Sequence, residues 1–231
     1  MTDVPLPASR EALLRRRNDP NAVGHDPHGA REALPGTGHG GSGPASKRII
    51  VGYGFWIFLL SDIVMFSCFF ATYAVLQGQT AGGPTARQIV ELPRVGIETG
   101  ALLLSSFTCG LSYAATNVRN KLWTQVFLAA TGALGLIFVG LELQEFLGLA
   151  AQGATPQRSA FLSAFYALVG CHGLHVSVGG LWLATMMAQL QVKGFRHEII
   201  HRLICFNLFW HALDIVWVGV FSIVYLTGAV A

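Results

Sequence analysis

The sequence predicts an all-α membrane protein, a multi-pass bundle of five transmembrane helices. Hydrophobic residues make up 52% of the 231 residues and charged residues only 12%, whereas a soluble domain carries roughly 25% charged residues. The first 48 residues hold seven of the 15 Lys and Arg and five of the 12 Asp and Glu. The rest of the chain is therefore so poor in charge that lipid is its expected solvent.

Residues 1–48 are expected to form a disordered cytoplasmic tail. They are rich in Gly, Pro, Arg and His, and residues 35–44 contain only Gly, Pro, Ser, Thr and His. Such a segment cannot bury enough apolar surface to offset the entropy lost on ordering. It shows no early apolar stretch of a cleavable signal peptide, so the first membrane helix is expected to direct insertion. The net charge of +3 is too small to indicate nucleic-acid binding.

Residues 49–231 are expected to form the membrane domain. A spanning helix needs about 20 apolar residues, whereas a barrel strand needs only about 10. Helices satisfy their own backbone hydrogen bonds in lipid. Small residues four apart, such as Gly96 with Gly100 and Ser106 with Gly110, predict close packing of helix backbones. The predicted helices span residues 49–76, 95–116, 123–149, 161–190 and 203–227.

The distribution of Lys and Arg predicts the orientation. With the N-terminus in the cytoplasm, 12 of the 15 basic residues face the cytoplasm, as the positive-inside rule requires. The other three, Arg87, Arg94 and Arg158, face the periplasm, and no basic residue is expected within a helix. The C-terminus is then periplasmic. A reporter fused after Ala231 should read as periplasmic, and a cytoplasmic signal would contradict this topology.

Ionisable side chains within spanning helices are costly, so each needs a structural or functional reason. Because no Lys or Arg is expected within the helices, the buried acids should pair with histidine, share protons, accept hydrogen bonds or lie near a helix end. Asp62, halfway along the first helix, is either a proton-handling group or a protonated carboxyl bonded to a neighbouring helix. The residues concerned are Asp62, Glu98, Glu142, Glu145, His172, His175, His211 and Asp214.

Two pairs of these residues lie three apart and therefore share a helix face. Glu142 and Glu145 could bind a cation or a proton, but bonding to the ends of other helices is favoured. His172 and His175 could join Glu142, Glu145 and His211 in a metal site. This motif lacks a third fixed ligand, so a structural role, including pairing with the membrane acids, is favoured.

The fifth helix carries a polar motif in the order Trp210-His211-x-x-Asp214-x-x-Trp217. Asp214 could accept the proton of His211, three residues before it. The favoured interpretation is a structural His–Asp pair that locks the fifth helix against the fourth. No nucleophile or Gly-rich phosphate loop completes an active site around it.

These motifs together resemble subunit III of the haem–copper oxidases, from about residue 52 to residue 228. The chain has five predicted helices and lacks the two that precede them in the cytochrome c branch. Asp62 stands where that branch usually has Glu, and residues 80–85 are similar to the bo-type ubiquinol oxidase branch. The motifs that carry the resemblance are Gly54-Phe55-Trp56, Ser61-Asp62, Glu145-Phe146, His172-Gly173-Leu174-His175-Val176 and the motif of the fifth helix.

The resemblance implies a non-catalytic subunit of a proton-pumping terminal oxidase in the bacterial inner membrane. The complex would oxidise ubiquinol and reduce oxygen to water, with haem and copper in partner subunit I and no cofactor in this chain. This chain would pack on subunit I, together with subunit II and a small subunit IV. It would also hold phospholipid and support assembly and sustained turnover.

The resemblance also implies roles for the polar residues. Asp62 would be the buried carboxyl linked to proton uptake. A structural polar cluster would comprise Glu98, Glu142, Glu145, His172, His175, Trp210, His211, Asp214 and Trp217.

Three alternatives remain open from the sequence. The first is subunit III of a cytochrome c oxidase. The second is a small proton-coupled transporter that uses Asp62 and Glu98, although an internal repeat typical of transporters is missing. The third is a metal-dependent membrane enzyme built on His172, His175 and His211.

Overall fold

Five long helices dominate the computed structural model, which describes residues 47–230. Each contains a stretch that is long and apolar enough to cross a membrane, so the predicted five-helix membrane fold is confirmed. The tail predicted for residues 1–48 lies outside the described residues except for its last two, which begin the first helix. The helices are α1 (Lys47–Leu76), α2 (Leu92–Asn117), α3 (Lys121–Ala151), α4 (Ala160–Lys193) and α5 (His197–Val220).

The helix ends follow local capping chemistry, and the helices are longer than predicted. The Asn120 side chain accepts a hydrogen bond from the backbone N–H of Trp123 at the start of α3. The Ser159 side chain does the same for Leu162 at the start of α4. Gly194, with φ of 66°, ends α4 in the left-handed region that glycine adopts without strain.

Helix α2 begins at Leu92, three residues before the predicted start at Val95. Pro93 lies in its first turn, where the missing N–H costs nothing and the fixed φ suits a helix. After Val220, the last residue of α5, the chain continues as a π-helical segment, Phe221–Leu226, and a last short helix, Thr227–Val230. The C-terminal span is therefore longer than the predicted range 203–227.

The connectors lie at two ends of the bundle. Residues 118–120 and 194–196 form short connectors at one end, which we call the Arg119 end. Residues 77–91 and 152–159 lie at the opposite end, which we call the Arg158 end. Short connectors make α2 antiparallel to α3 and α4 antiparallel to α5, and both pairs pack together.

Helix α1 is peripheral, whereas α4 is central. Helix α4 packs against α1, α3 and α5. In its most apolar 18-residue stretch, 50% of the residues are buried, whereas 11% are buried in the corresponding stretch of α1. Helix α1 packs mainly against α4 and α5. Its remaining surface is apolar and exposed, and includes Trp56, Ile57 and Val64.

The indole of Trp210 lies at the centre of the bundle and is buried. A Cβ built at Gly135 of α3 or at Gly179 of α4 would lie 3.0 Å from its ring carbons. Its Nε1 donates a hydrogen bond to Ser105 Oγ of α2 at 3.0 Å. This side chain of α5 therefore touches three other helices and can be accommodated only because two of them carry glycine beside it.

Trp217 repeats this pattern two turns further along α5. Its Nε1 donates to Thr99 Oγ1 of α2 at 3.1 Å. The indole stacks on His172 with ring centroids 5.2 Å apart and meets the edge of Phe138 at 4.6 Å. Offset stacking and edge contacts of this kind are favourable beyond the buried area alone. Hydrogen bonds from both indoles thus hold α5 against α2.

Only some of the small residues predicted to allow close helix packing do so among the described residues. Gly96 and Gly100 of α2 are exposed, and no atom lies within 4 Å of a Cβ built at either position. The prediction that they pack helices together within this chain is therefore wrong for the described residues. Gly135 and Gly179 do allow close approach, and Ser106 and Gly110 of α2 lie against His211 of α5.

We expect Gly179→Ala to destabilise the protein, because the indole of Trp210 is held between two glycines and cannot move away. Overpacking of this kind costs about 1–3 kcal/mol. The neighbouring Gly180 is the matched control, since no atom of the described residues lies within 4 Å of its Cβ position. Gly180→Ala should be neutral or stabilising by up to about 1 kcal/mol, because alanine is the better helix former. Thermal unfolding in detergent measures both, and equal midpoints would contradict this account.

Candidate functional site

Three buried carboxyls gather towards the Arg158 end of the bundle. Glu98 of α2 and Glu142 and Glu145 of α3 are 0%, 3% and 7% exposed, and their carboxyls lie near one another. They meet because α2 and α3 are antiparallel, which places the start of α2 beside the end of α3. A group of buried carboxyls is costly unless cations, hydrogen-bond donors or protons compensate the charge.

Arg94 supplies the cation of this cluster. Its Nε lies 3.6 Å from Glu98 Oε1, and its Nη2 donates to the carbonyl oxygen of Leu141 at 2.8 Å. The prediction that no basic residue lies within a helix to pair with the acids is therefore wrong. The error follows from the early start of α2, which puts Arg94 in its first turn. Pro93 was the sequence signal that could have revealed it.

The two glutamates of α3 have different environments. Glu145 Oε2 accepts a hydrogen bond from the buried Tyr225 hydroxyl of the π-helical segment at 3.2 Å. Glu142 packs against the backbone of α4, where a Cβ at Gly173 would overlap its carboxyl. The glycine within His-Gly-Leu-His therefore makes room for a carboxyl of the neighbouring helix. Tyr225 is a second member of the site that the sequence interpretation missed, since no local motif marks it.

A small polar cavity connects the carboxyl cluster with the Arg158 end. Its volume is about 110 Å³, and its lining includes Glu91, Arg94, Glu145 and Gln152. This volume is well above the minimum for a water molecule. Of the three carboxyls, Glu145 lines this cavity and is placed to exchange a proton through it, and the cluster also joins α2, α3 and the end of α5.

His172 and His175 do not pair with the membrane acids, contrary to the pairing suggested by the sequence. His172 is fully buried between Phe66, Phe138 and Trp217, and neither ring nitrogen has a hydrogen-bond partner among the described residues. His175 Nδ1 donates to the carbonyl oxygen of Cys171 at 2.7 Å. Over residues 47–230, no group of three or more His, Cys, Asp or Glu is placed to hold a metal ion, so the geometry does not support the three-histidine hypothesis.

His211 has a different partner from the predicted Asp214. Its Nδ1 shares a hydrogen bond of 2.8 Å with Ser106 Oγ of α2. With the two indole bonds to Ser105 and Thr99, the polar motif of α5 therefore bonds to α2 and does not lock α5 to α4 through a His–Asp pair. Asp214 Oδ1 is buried and has no hydrogen-bond partner within the described part of the chain.

Asp62 lies apart from the carboxyl cluster. It is half-buried and lines a narrow cleft of about 10 Å³ between α1 and α5, with Phe209, Leu213 and Val216 of α5. The residues that line this cleft include no other ionisable side chain. The sequence placed Asp62 halfway along α1, and the structure leaves it accessible from the most exposed helix of the bundle.

The fold and these sites define a multi-pass helical membrane protein whose polar motifs mainly join its helices. Residues 36–229 match the family model described as cytochrome c oxidase subunit III. The chain belongs to this family, as the motifs of α1, α4 and α5 had predicted.

Curated relatives resemble the chain over most of its length. It is 44% identical over 221 residues to "Cytochrome bo(3) ubiquinol oxidase subunit 3" of Pseudomonas aeruginosa, covering 96% of this chain and 99% of the relative. The protein of that name from Pseudomonas putida is 47% identical over 76% of this chain and 84% of its own length. "Quinol oxidase subunit 3" of Bacillus subtilis is 40% identical over 76% and 86%. The predicted likeness to the quinol-oxidase branch is confirmed.

We expect Arg94→Met to lower the free energy of unfolding by about 2 kcal/mol, the scale of a hydrogen bond to a charged group. The change removes the bond to Leu141 and leaves Glu98 without its cation. Adding Glu98→Gln should restore part of the loss, because a buried amide needs no counter-charge.

Arg87→Met is the matched control for this change, since Arg87 is an exposed arginine at the same end of the bundle. Thermal unfolding of the four proteins in detergent makes the comparison. If Arg94→Met unfolds at the same temperature as Arg87→Met, the ion pair of Arg94 with Glu98 contributes nothing to stability.

Proposed function

We propose that this chain is the non-catalytic subunit III of a proton-pumping terminal quinol oxidase in a bacterial inner membrane. The observation that carries the proposal is the likeness to the Pseudomonas aeruginosa protein, which covers nearly all of both chains. In such a complex, ubiquinol is oxidised and oxygen is reduced to water. A cytochrome c oxidase remains the competing assignment, and the experiment below distinguishes the two.

A supporting role agrees with the chemistry of the buried groups. The indoles of Trp210 and Trp217, the His211 ring and the Arg94 guanidinium all make hydrogen bonds between helices. Haem and copper would be held by partner subunit I. This chain would contribute to assembly and to sustained turnover.

The surface of α1 supports packing on partner subunits. Large apolar side chains are exposed along much of this helix, for example Trp56, Ile57 and Val64. Asp62 lies on the same helix, half-buried, where contact with lipid would be costly for an ionisable group. Subunit I is the expected neighbour of this helix, and subunit II and a small subunit IV would complete the complex.

A groove between α3 and α4 supports phospholipid binding. Its volume is about 630 Å³, and apolar or small residues line almost all of it, including Gly132, Leu136, Val176 and Leu181. This volume lies within the range typical of ligand pockets, about 300–1,000 Å³. An acyl chain suits such a lining, because the groove offers few polar partners.

The Arg119 end is proposed to face the cytoplasm. Arg119, Lys121, Lys193 and Arg196 lie at this end, and cytoplasmic loops carry an excess of Lys and Arg. The carboxyl cluster and its small cavity would then lie nearer the periplasmic surface, whereas Asp62 lies near the middle of the membrane.

A mild-detergent pull-down of the tagged chain tests the proposal. Haem absorption bands in the eluate, together with oxygen uptake driven by ubiquinol, would support it. Haem bands with activity on cytochrome c alone would move the chain to the other branch. A colourless chain purified from membranes that contain the oxidase would overturn the subunit assignment.

We expect Asp62→Ala to leave assembly intact but to cause faster inactivation during turnover. The reason is that the Asp62 carboxyl lies near the middle of α1, the helix that would contact subunit I, and would support proton uptake there. Ser61→Ala is the control, because Ser61 is exposed and its hydroxyl bonds only to the carbonyl of Phe58 in its own helix. Time courses of oxygen uptake compare the complexes, and identical inactivation rates would refute this role for Asp62.

A further inference from the structure

A shallow, largely apolar cavity with three polar side chains opens on the outer surface of the bundle between α2 and α5. Its volume is about 370 Å³, and Ser106, His211 and Asp214 contribute its polar lining. Leu103 and Phe107 of α2 border it and are 46% and 64% exposed. The cavity therefore faces away from the interior of this chain and towards whatever surrounds the bundle.

The polar groups in this cavity are not fully satisfied by this chain. The Ser106 hydroxyl lies beside the Asp214 carboxyl but is engaged with His211 Nδ1, and Asp214 Oδ1 is buried and has no hydrogen-bond partner among residues 47–230. An acceptor left in this way loses its hydration without compensation. Within lipid the loss is greater, because hydrocarbon offers no donor.

The position of the cavity near the middle of the membrane restricts which group can fill it. Asp214 lies halfway along the span Glu198–Ala229, and Ser106 lies close to the middle of Leu92–Asn117. The hydrocarbon core is about 30 Å thick, so lipid headgroups remain about 15 Å away from this level. A lipid therefore cannot supply the missing donor, whereas a side chain of a neighbouring transmembrane helix can.

The face of α2 beside the cavity is shaped for a second helix. Gly96, Gly100, Leu103 and Phe107 follow one another at spacings of four, three and four, which places them on one helix face. A Cβ at either glycine would meet no atom of residues 47–230 within 4 Å. Exposed glycines four apart let a neighbouring helix backbone approach closely in membranes.

We propose that this face of α2, with Asp214 at its edge, receives a transmembrane helix of a partner oxidase subunit that donates a hydrogen bond to Asp214. The donor is an ammonium, guanidinium, amide or hydroxyl group at mid-depth. A two-fold contact between copies of this chain would bring Asp214 towards a second carboxyl and is disfavoured. The inference rests on the proposed function, because that function supplies the partner subunits.

Two glycine variants test the face without disturbing this chain. Gly100 and Gly140 are both exposed, lack neighbours within 4 Å of a Cβ and lie at similar depth, towards the Arg158 end. Gly100→Leu should lower the yield of haem-bearing subunits per tagged chain about tenfold, equivalent to about 1.4 kcal/mol of helix association. Gly140→Leu should keep the parent yield. Equal yields from the two variants, high or low, would overturn the inference.

Asp214 variants test the hydrogen bond itself. Asp214→Leu should lose haem-bearing subunits to a similar extent as Gly100→Leu, whereas Asp214→Asn keeps an acceptor oxygen and should lose less. Equal retention of partners in both variants would overturn the role of Asp214. The thermal unfolding of each tagged chain shows whether its own fold is intact.

A photo-crosslinking residue at position 107 identifies the occupant in intact membranes. Leu174 is the control position, since it is 62% exposed, similar to Phe107, and lies near the middle of its span. An adduct with another oxidase subunit from position 107, stronger than that from position 174, supports the proposal. An adduct with lipid, quinone or a second copy overturns it.

If the parent chain binds no haem protein at all, the proposed function fails and the inference falls with it. If the parent complex is intact but the variants do not differ in their yield of partner subunits, the inference alone is refuted.

Discussion

The contact of one indole of α5 with three neighbouring helices sets the spacing of α2, α3, α4 and α5. Lipid tails are as apolar as leucine, so helices in a membrane are held together by shape and by hydrogen bonds more than by the hydrophobic effect. Trp210 provides both, since its ring fills the space beside Gly135 and Gly179 and its N–H bonds to Ser105. The neighbouring bonds of His211 and Trp217 to α2 depend on the rotation of α5 that this contact imposes.

The polar residues of the membrane domain divide into groups enclosed within the bundle and groups that lie at its surface. At the Arg158 end, Arg94 and Tyr225 meet two of the three glutamates. Asp62 and Asp214 instead lie on surfaces, in a cleft beside α1 and a cavity beside α2 respectively. This division is typical of a protein that completes its structure only in a complex, because an unsatisfied carboxyl at mid-depth is tolerated only against protein or water.

The number and approximate length of the helices could be predicted from the sequence because lipid imposes both requirements on every span. The partners of individual side chains could not be predicted in the same way. The apolar pattern starts at Val95 and so predicts a loop at Arg94, whereas the helix starts at Leu92. His211 was paired with Asp214 by spacing, but Ser106 reaches it through the rotation of α2, which no local pattern reveals. Gly96 and Gly100 carry the same spacing whether their helix packs within the chain or against another protein, so only the fold could show which way they face.

The π-helical segment at Phe221–Leu226 gives the last span a register that an uninterrupted α-helix would not have. A π-turn accommodates an extra residue within a helix, and each residue of an α-helix turns the chain by about 100°. Deletion of one residue from this segment before Tyr225 would therefore rotate Tyr225 away from Glu145 and Gly228 away from Ala86. The remaining side chains would be chemically unchanged. The carboxyl cluster thus depends on chain length at a position outside it, and substitutions at single sites, which leave the length unchanged, would not reveal this dependence.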